Sequence, residues 1–136
     1  MRLAIIGTGN MGKALINGFI SSGVVSSDSI TVYDAYMPAL DAAVSKFGVN
    51  KANSANEAVK DADYVLMAVK PQQFDEVLSG ITPDLDDKTV VLSIAAAVKT
   101  ERILNIVGTN RKIVRIMPLQ VQSDIHHILN QSLSVY

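Results

Sequence analysis

A glycine-rich segment, GTGNMG at positions 7–12, constrains the fold of this chain more than any other feature. It follows four apolar residues, 3–6, and precedes a helical pattern, which is the order strand, turn and helix. In this G-x-G-x-x-G spacing Gly7 permits the tight turn, Gly9 lets the backbone approach a pyrophosphate, and Gly12 lets the helix pack against the strand. The start of that helix also directs free N–H groups and a positive dipole end towards an anion. The segment therefore predicts a phosphate site, although a plain glycine-rich βα turn is the alternative.

Short apolar strands alternate with helical patterns along the rest of the chain. Further strands are expected at residues 30–33, around Val49, and at 64–69, 89–94 and 112–117, with helices near 10–22, 38–47, 55–61, 71–78 and 100–107. Ser54 and Glu57 form a capping box for the third helix, and Thr100 is expected to cap the fifth. The alternation predicts an α/β fold with a doubly wound parallel sheet, Rossmann-like, in strand order 3-2-1-4-5-6. In that order the glycine turn and the end of strand four share one crevice, where a ligand is expected.

Other candidate binding residues follow the predicted strands. Asp34 stands 22 residues beyond Gly12, where an acid typically hydrogen-bonds the adenosine ribose and repels a 2′-phosphate, an arrangement that favours NAD; a turn aspartate without a ligand is the alternative. Lys70 could pair with a phosphate or a ribose hydroxyl, or lie in solvent. Asn56 could help to cap its helix, or reach the adenine or its ribose. The turn Ala95–Ala97 could let a nicotinamide lie against backbone, or simply permit close packing.

Composition excludes several classes of function. A net charge of −1 without a basic cluster argues against a nucleic-acid partner, and no apolar run approaches the ~18 residues of a membrane span. The chain has no cysteine, so disulfides and thiolate nucleophiles are excluded. His126 and His127 are adjacent and cannot clasp one metal as an i, i+4 pair would. No catalytic acid–base set and no metal site are predicted, and the default location is cytoplasmic.

Four motifs then occur in order: GTGNMGKA at 7–14, AVKP at 68–71, SIAA at 93–96 and RIMP at 115–118. Together they resemble pyrroline-5-carboxylate reductase over residues 1–118. The resemblance implies a dinucleotide-binding domain of an NAD(P)-dependent oxidoreductase of proline biosynthesis. It implies a small-molecule substrate, 1-pyrroline-5-carboxylate, which is reduced to proline with NADP or NAD as the cofactor. The cofactor-binding residues that it implies are Gly7, Thr8, Gly9, Asn10, Met11, Gly12, Asp34, Asn56, Val69, Lys70, Pro71, Ala95 and Ala96.

The chain departs from the family's pattern in three places. Ala97 stands where the family usually has glycine, so a methyl group could crowd the nicotinamide or forbid a backbone with positive φ. Asp34 stands where the family often has a small polar residue, which puts the family's common NADPH preference in question. After Pro118 the family continues with a different sequence and a helical domain that builds the dimer and the imine site, whereas residues 119–136 here form an atypical tail, a truncated or frame-shifted end.

Two expectations follow from this tail. It is expected to cover the open edge of strand six, an edge that could otherwise support a homo-oligomer. The chain alone is expected to turn substrate over slowly or not at all, because it lacks a substrate domain. Two rival functions are a non-catalytic dinucleotide-binding or sensing module, and another small NAD(P)-dependent reductase such as a deazaflavin-dependent NADP reductase.

Overall fold

The computed structural model describes residues 1–116, which form a parallel sheet with helices on both faces. Within these residues the sheet has six strands in the order β3-β2-β1-β4-β5-β6, as the alternation predicts. The tail 119–136 lies outside the described residues, as do Met117 and Pro118. The strands are β1 (Leu3–Ile6), β2 (Ile30–Tyr33), β3 (Asn50–Lys51), β4 (Tyr64–Met67), β5 (Val90–Ser93) and β6 (Ile113–Arg115). The helices are α1 (Asn10–Ser21), α2 (Met37–Phe47), α3 (Ala55–Val59), α4 (Pro71–Ile81) and α5 (Thr100–Val107), with 3₁₀ turns at Ser27–Ser29 and Thr82–Asp84.

The central strand β1 sets the position of the crevice. It pairs with β2 on one side and β4 on the other, and Ile6 lies level with both Tyr33 and Met67. The carboxyl ends of the three strands therefore meet at one edge of the sheet. Successive crossovers run in opposite directions from β1 and β4, so this edge is the switch point at which α/β sheets bind ligands.

The apolar runs of the strands are buried on both faces. All four residues of β1 and all four of β4 are buried. Leu3 and Ile5 belong to the core with Phe19 of α1, whereas Ala4 and Ile6 belong to the opposite core with Phe74 of α4. A strand between two helical layers has no solvent face, which is why its sequence is continuously apolar rather than alternating.

Helix boundaries agree with the sequence where local chemistry sets them. Pro38 lies in the first turn of α2, and Gly48 ends that helix in the left-handed conformation at φ +67°. The prediction for Thr100 was wrong, because Lys99 is the N-cap residue of α5 and no side chain caps it. The third strand begins at Asn50, one residue after Val49, whose side chain is buried instead.

The capping box at α3 forms with one change of partner. The Ser54 hydroxyl oxygen accepts a hydrogen bond from the Glu57 N–H at 3.0 Å. The Glu57 carboxylate accepts from the N–H of Asn53 at 3.3 Å rather than from that of Ser54. The capping box thus holds Asn53 and Ser54, the two residues before α3, against its first turn.

We expect Ser54→Ala to lower the free energy of unfolding by about 1 kcal/mol, the usual effect of removing a cap acceptor. Urea unfolding followed by circular dichroism measures the change. Ser54→Asp keeps an acceptor at the same place and should retain most of the stability. An unchanged urea midpoint in Ser54→Ala would contradict this role of the hydroxyl.

No helix within residues 1–116 has both the length and the apolar content needed to cross a bilayer.

Candidate functional site

A crevice of about 670 Å³ lies at the carboxyl ends of β1, β2 and β4. Its walls come from the glycine turn, from the connection between β2 and α2, and from α4 with the residues that precede it. The lining residues are Ile6, Gly7, Gly9, Tyr33, Asp34, Ala35, Tyr36, Ala39, Ala55, Ala68, Val69, Lys70, Gln73, Glu76 and Val77. A second hollow of about 400 Å³, with Arg2, Ser29 and Lys60 in its lining, lies at the opposite edge of the sheet.

The three glycines of the turn have different structural reasons to be glycine. Gly7 has φ +106°, and a Cβ atom there would lie 2.5 Å from the carbonyl oxygen of Ala68. A Cβ atom at Gly12 would collide with the carbonyl oxygen of Gly7. Gly9 has an ordinary φ of −71°, and a Cβ atom there would have no neighbour within 4 Å. The fold therefore requires Gly7 and Gly12, whereas the space beside Gly9 is open and belongs to the crevice.

The start of α1 supplies donors at this open space. Gly9 is the N-cap residue, and no side chain caps the helix. The first helical bond is from the N–H of Lys13 to the carbonyl oxygen of Gly9 at 2.9 Å, so the N–H groups of Asn10, Met11 and Gly12 lack helical partners. Uncapped amides and the dipole of a 12-residue helix beside this open space fit a diphosphate.

Asp34 lines the crevice and also holds the glycine turn. Its Oδ2 atom accepts hydrogen bonds from the Thr8 N–H at 2.7 Å and from the Thr8 hydroxyl at 3.0 Å. Its Oδ1 atom accepts from the Tyr36 N–H at 2.8 Å. Thr8 is completely buried and Asp34 is half-buried. The spacing from Gly12 predicts Asp34 at the site, but it does not predict that the Asp34 carboxylate anchors the turn.

The residues after β4 form the opposite wall. Val69 is half-buried and Lys70 is exposed, and both line the crevice. Lys70 is the N-cap residue of α4, and Pro71 is the first residue of that helix, outside the lining. Within residues 1–116 no ion pair or hydrogen bond engages the Lys70 ammonium group. Asn10 and Met11 are exposed at the start of α1.

The structure does not bring Asn56 to the crevice. The Asn56 amide donates to the carbonyl oxygen of Gly80 at 2.8 Å and to the Asp84 carboxylate at 2.7 Å. It does not cap its own helix and is not among the lining residues; it joins α3 to the last turn of α4, and its contact with a coenzyme stays a prediction. Its neighbour Ala55 lines the crevice instead.

The alanine turn after β5 also lies outside the crevice lining. Ala95 is buried, with its N–H bonded to the Ser93 hydroxyl at 3.2 Å. Ala96 is exposed, and its carbonyl oxygen accepts from Arg115 at 3.0 Å. Ala97 has no positive φ, since Asp61 is the only non-glycine residue within 1–116 that does. The methyl group of Ala97 therefore forbids nothing in this backbone, and contact of the turn with a nicotinamide stays a prediction.

Sequence reasoning missed several lining residues. Tyr36 is 67% exposed beside the crevice, two residues after Asp34. Gln73 and Val77 lie three and seven residues after Lys70, so helical spacing from Lys70 could have identified this face. Together with Asp34 they belong to the walls of the crevice.

The charges of the crevice are few and mixed. Among the described lining residues, Asp34 and Glu76 are acidic and Lys70 is the single cation. The features of this crevice that favour an anion are therefore the backbone N–H groups and the α1 dipole rather than net charge. In the part of the chain that the structure describes, no three acidic or histidine side chains group together to hold a metal ion.

A doubly wound sheet with this glycine turn at its switch point defines the dinucleotide-binding class of α/β domain. Residues 2–97 match the family model described as NADP oxidoreductase coenzyme F420-dependent, and the chain belongs to that family.

Curated relatives and solved structures agree with the resemblance drawn from the motifs. The chain is 42% identical over 117 residues to the pyrroline-5-carboxylate reductase of Escherichia coli strain K12, covering 86% of this chain and 44% of the relative. It is 32% identical over 117 residues to that of Methanosarcina acetivorans, covering 86% and 43%. The chain thus spans less than half the length of these relatives.

Two solved structures have a fold similar to that of this chain. The pyrroline-5-carboxylate reductase of Coxiella burnetii has a TM-score of 0.80 at 32% identity, covering 85% of this chain and 43% of that one. The pyrroline carboxylate reductase of Plasmodium falciparum with NADP bound has a TM-score of 0.75 at 26% identity, covering 86% and 42%.

Proposed function

We propose that residues 1–116 are the coenzyme-binding domain of an oxidoreductase of the pyrroline-5-carboxylate reductase type, and that NADH or NADPH binds in the crevice. The observation that carries this proposal is the open space beside Gly9. Its backbone conformation does not require glycine, and the space adjoins the uncapped start of α1. The NADP-bound relative from Plasmodium falciparum supports the class of ligand.

Each part of the crevice has a role in this proposal. The N–H groups of residues 10–12 bind the diphosphate, and Asp34 accepts a hydrogen bond from the adenosine ribose. Tyr36, Gln73 and Val77 bound the space for the adenine, since they line the crevice outside the glycine turn. When bound, the coenzyme supplies a hydride for reduction of the cyclic imine 1-pyrroline-5-carboxylate to proline. These residues hold and orient the coenzyme, and none of them needs to act as an acid or base.

Coenzyme binding by the 136-residue chain is the first test. Calorimetric titration with NADH and with NADPH should show one saturable site for at least one of them. Absence of binding by both nucleotides would overturn the proposal. Turnover is a separate test, because the chain covers only 44% of the length of the Escherichia coli relative.

The description of the family model supports one alternative substrate. It names coenzyme F420, which would make the chain part of a deazaflavin-dependent NADP reductase. Oxidation of the bound nicotinamide coenzyme by pyrroline-5-carboxylate and by oxidised F420 can be compared directly. Oxidation with F420 alone would favour the alternative. Binding without oxidation by either acceptor is expected of a coenzyme-binding domain or of a sensing module.

Lys70 provides a prediction at the second wall of the crevice. We expect Lys70→Ala to weaken coenzyme binding about tenfold. The Lys70 ammonium group has no partner within residues 1–116, and a hydrogen bond from it to a phosphate or ribose oxygen of the coenzyme would contribute roughly 1.5 kcal/mol. The change is measured as the ratio of dissociation constants by calorimetry. Lys88→Ala removes an exposed lysine at the opposite edge of the sheet and should leave the constant unchanged. Equal effects of the two substitutions would contradict a contact from Lys70.

Two further expectations stay predictions. Self-association could use the edge of the sheet beside β6, which pairs with β5 on its other side. Sedimentation velocity at several concentrations would detect it.

A cytoplasmic location and the absence of nucleic-acid and membrane partners also remain expectations from composition.

A further inference from the structure

The helices are distributed unequally over the two faces of the sheet. Helices α1 and α2 belong to the core that contains Leu3 and Ile5, whereas α3, α4 and α5 belong to the opposite core with Ala4 and Ile6. Because α1 connects β1 to β2 and α2 connects β2 to β3, both lie over the half of the sheet that ends at β3. Within residues 1–116, therefore, no helix crosses β5 and β6 on the face that α1 and α2 share.

The two strands nevertheless present a continuous apolar surface on that face. Their alternate residues, such as Val91 and Ile113, point into the opposite core. The residues that point towards the α1 side are Val90, Leu92, Ile94, Val114 and Ile116, here called the β5–β6 face.

The β5–β6 face is buried, although α1 is too distant to cover all of it. Leu92 is completely buried, and Ile116 is only 4% exposed. Strand β6 lies three strand spacings, roughly 14 Å, from β1, whereas a helix with its side chains has a radius of about 5–6 Å. This burial is that of a single copy of the chain, so the cover comes from the chain itself and not from a partner.

Residues 117–136 follow β6 directly and carry an apolar pattern that fits this face. The residues of that pattern, at helical spacing, are Ile125, Ile128, Leu129 and Leu133. Asp124 is the single acidic residue of the segment, which has no lysine or arginine. A helix from residue 125 to residue 133 would be about 12 Å long, and a four-residue strand is about 13 Å long, so the two lengths match. The side chain of Ile116 already belongs to the β5–β6 face, so the segment begins beside it.

We propose that residues 117–136 pack on the β5–β6 face through this apolar pattern and complete the helical layer that α1 and α2 begin. This position is the face of the sheet, not the open edge of β6 that the tail is expected to cover from sequence alone. The Ile116 N–H donates to the Ser93 carbonyl oxygen of β5 at 2.7 Å, so by alternation the N–H groups of Ile113 and Arg115 remain at the open edge. The inference goes beyond the proposed function and needs no coenzyme.

A nitroxide label on the segment tests its position in the 136-residue chain. The chain has no cysteine, so Asn130→Cys provides a single attachment site. We expect the label to broaden the methyl resonances of Leu92 and Val114 more strongly than those of Leu78 and Ile103, which lie in the opposite core. Equal broadening in the two cores, or none in either, would refute the proposal. Broadening that also appears in a mixture of spin-labelled and isotope-labelled copies would assign the cover to a second copy, and it too would refute the proposal.

A substitution in the apolar pattern tests the same contact through stability. Ile128→Asp should lower the equilibrium constant for folding at least about tenfold, the usual effect of bringing one buried isoleucine into water. His127→Asp adds an aspartate at the neighbouring position, outside the apolar pattern, and should leave the urea midpoint unchanged. An unchanged midpoint for Ile128→Asp, or equal losses for the two variants, would contradict the contact. If Ile128→Asp does not fold, Ile128→Ala gives a smaller loss to compare with His127→Ala, and the nitroxide measurement on the unchanged pattern decides.

Discussion

Replacing Gly7 with alanine is expected to lower the free energy of unfolding by about 3 kcal/mol or more. Two costs combine at this position: a positive φ of +106°, and a Cβ atom 2.5 Å from the carbonyl oxygen of Ala68. That carbonyl cannot move aside freely, because the Ala68 N–H bonds to Ile6 at 2.8 Å and holds the end of β4 against β1. Domains of this size are stable by only about 5–15 kcal/mol, so a large fraction of the chain should unfold at modest urea concentration.

Gly23→Ala is the matched control for this effect. Gly23 also has a positive φ, +75°, but a Cβ atom there would have no neighbour within 4 Å. It should lower the free energy of unfolding by only about 1 kcal/mol, from backbone strain alone. The difference between the two variants measures the contact with β4, and equal losses would show that the close approach of turn and strand does not exist in solution.

In contrast to Gly7→Ala, Gly9→Asp should retain the stability of the fold and weaken coenzyme binding at least about a hundredfold. The φ of −71° accepts any residue, and the side chain enters open space. Gly9 is the N-cap residue of α1, and aspartate is among the best N-cap residues, so its carboxylate would bond to the same N–H groups that are proposed to hold the diphosphate. The helix gains a cap, and the ligand loses its donors and meets a negative charge.

Gly80→Asp controls for the added charge. Gly80 is exposed in the last turns of α4, has open space around it and lies outside the crevice lining. The dissociation constant of the coenzyme from Gly80→Asp should match that from the unchanged protein. Calorimetry measures binding and urea unfolding measures stability for both variants. A Gly9→Asp protein that is folded and binds as tightly as the original would refute the placement of the diphosphate.

Strand order and crevice position follow from the sequence because local patterns determine them. Continuous apolar runs such as that of β4 occur where a strand is buried on both faces, and the alternation with helices leaves few topologies. The glycine spacing predicts the tight turn that follows β1. Each of these signals lies within a few residues of the feature that it predicts.

The sequence is least informative where a side chain's partner is distant along the chain. The contact from Asn56 to the Gly80 carbonyl depends on where α4 ends, and that helix runs to Ile81, three residues beyond the predicted Leu78. Phe74, Leu78 and Ile81 are buried along one face of α4, so packing extends the helix past its local signals. An asparagine in the first turn of α3 could not reveal this partner.

The role of Thr8 could be predicted only in part. The motif places it between two glycines, but the direction of its hydroxyl depends on the end of β2, 26 residues further along the chain. Tyr36, Gln73 and Val77 likewise line the crevice because two separate elements meet there. Spacing along the chain identifies the edge of the sheet at which a ligand binds, and tertiary packing decides which side chains face it.

The central claim is that a nicotinamide dinucleotide binds at the glycine turn at the carboxyl end of β1. Titration of the ¹⁵N-labelled chain with NADH, followed through its assigned amide resonances, tests this claim most directly. We expect large shift changes for the amides of residues 8–12 and of Tyr36, and none for Ser29, Thr31 or Lys60 at the opposite edge. Shift changes confined to that opposite edge, or an unchanged glycine turn at saturating NADH, would contradict it.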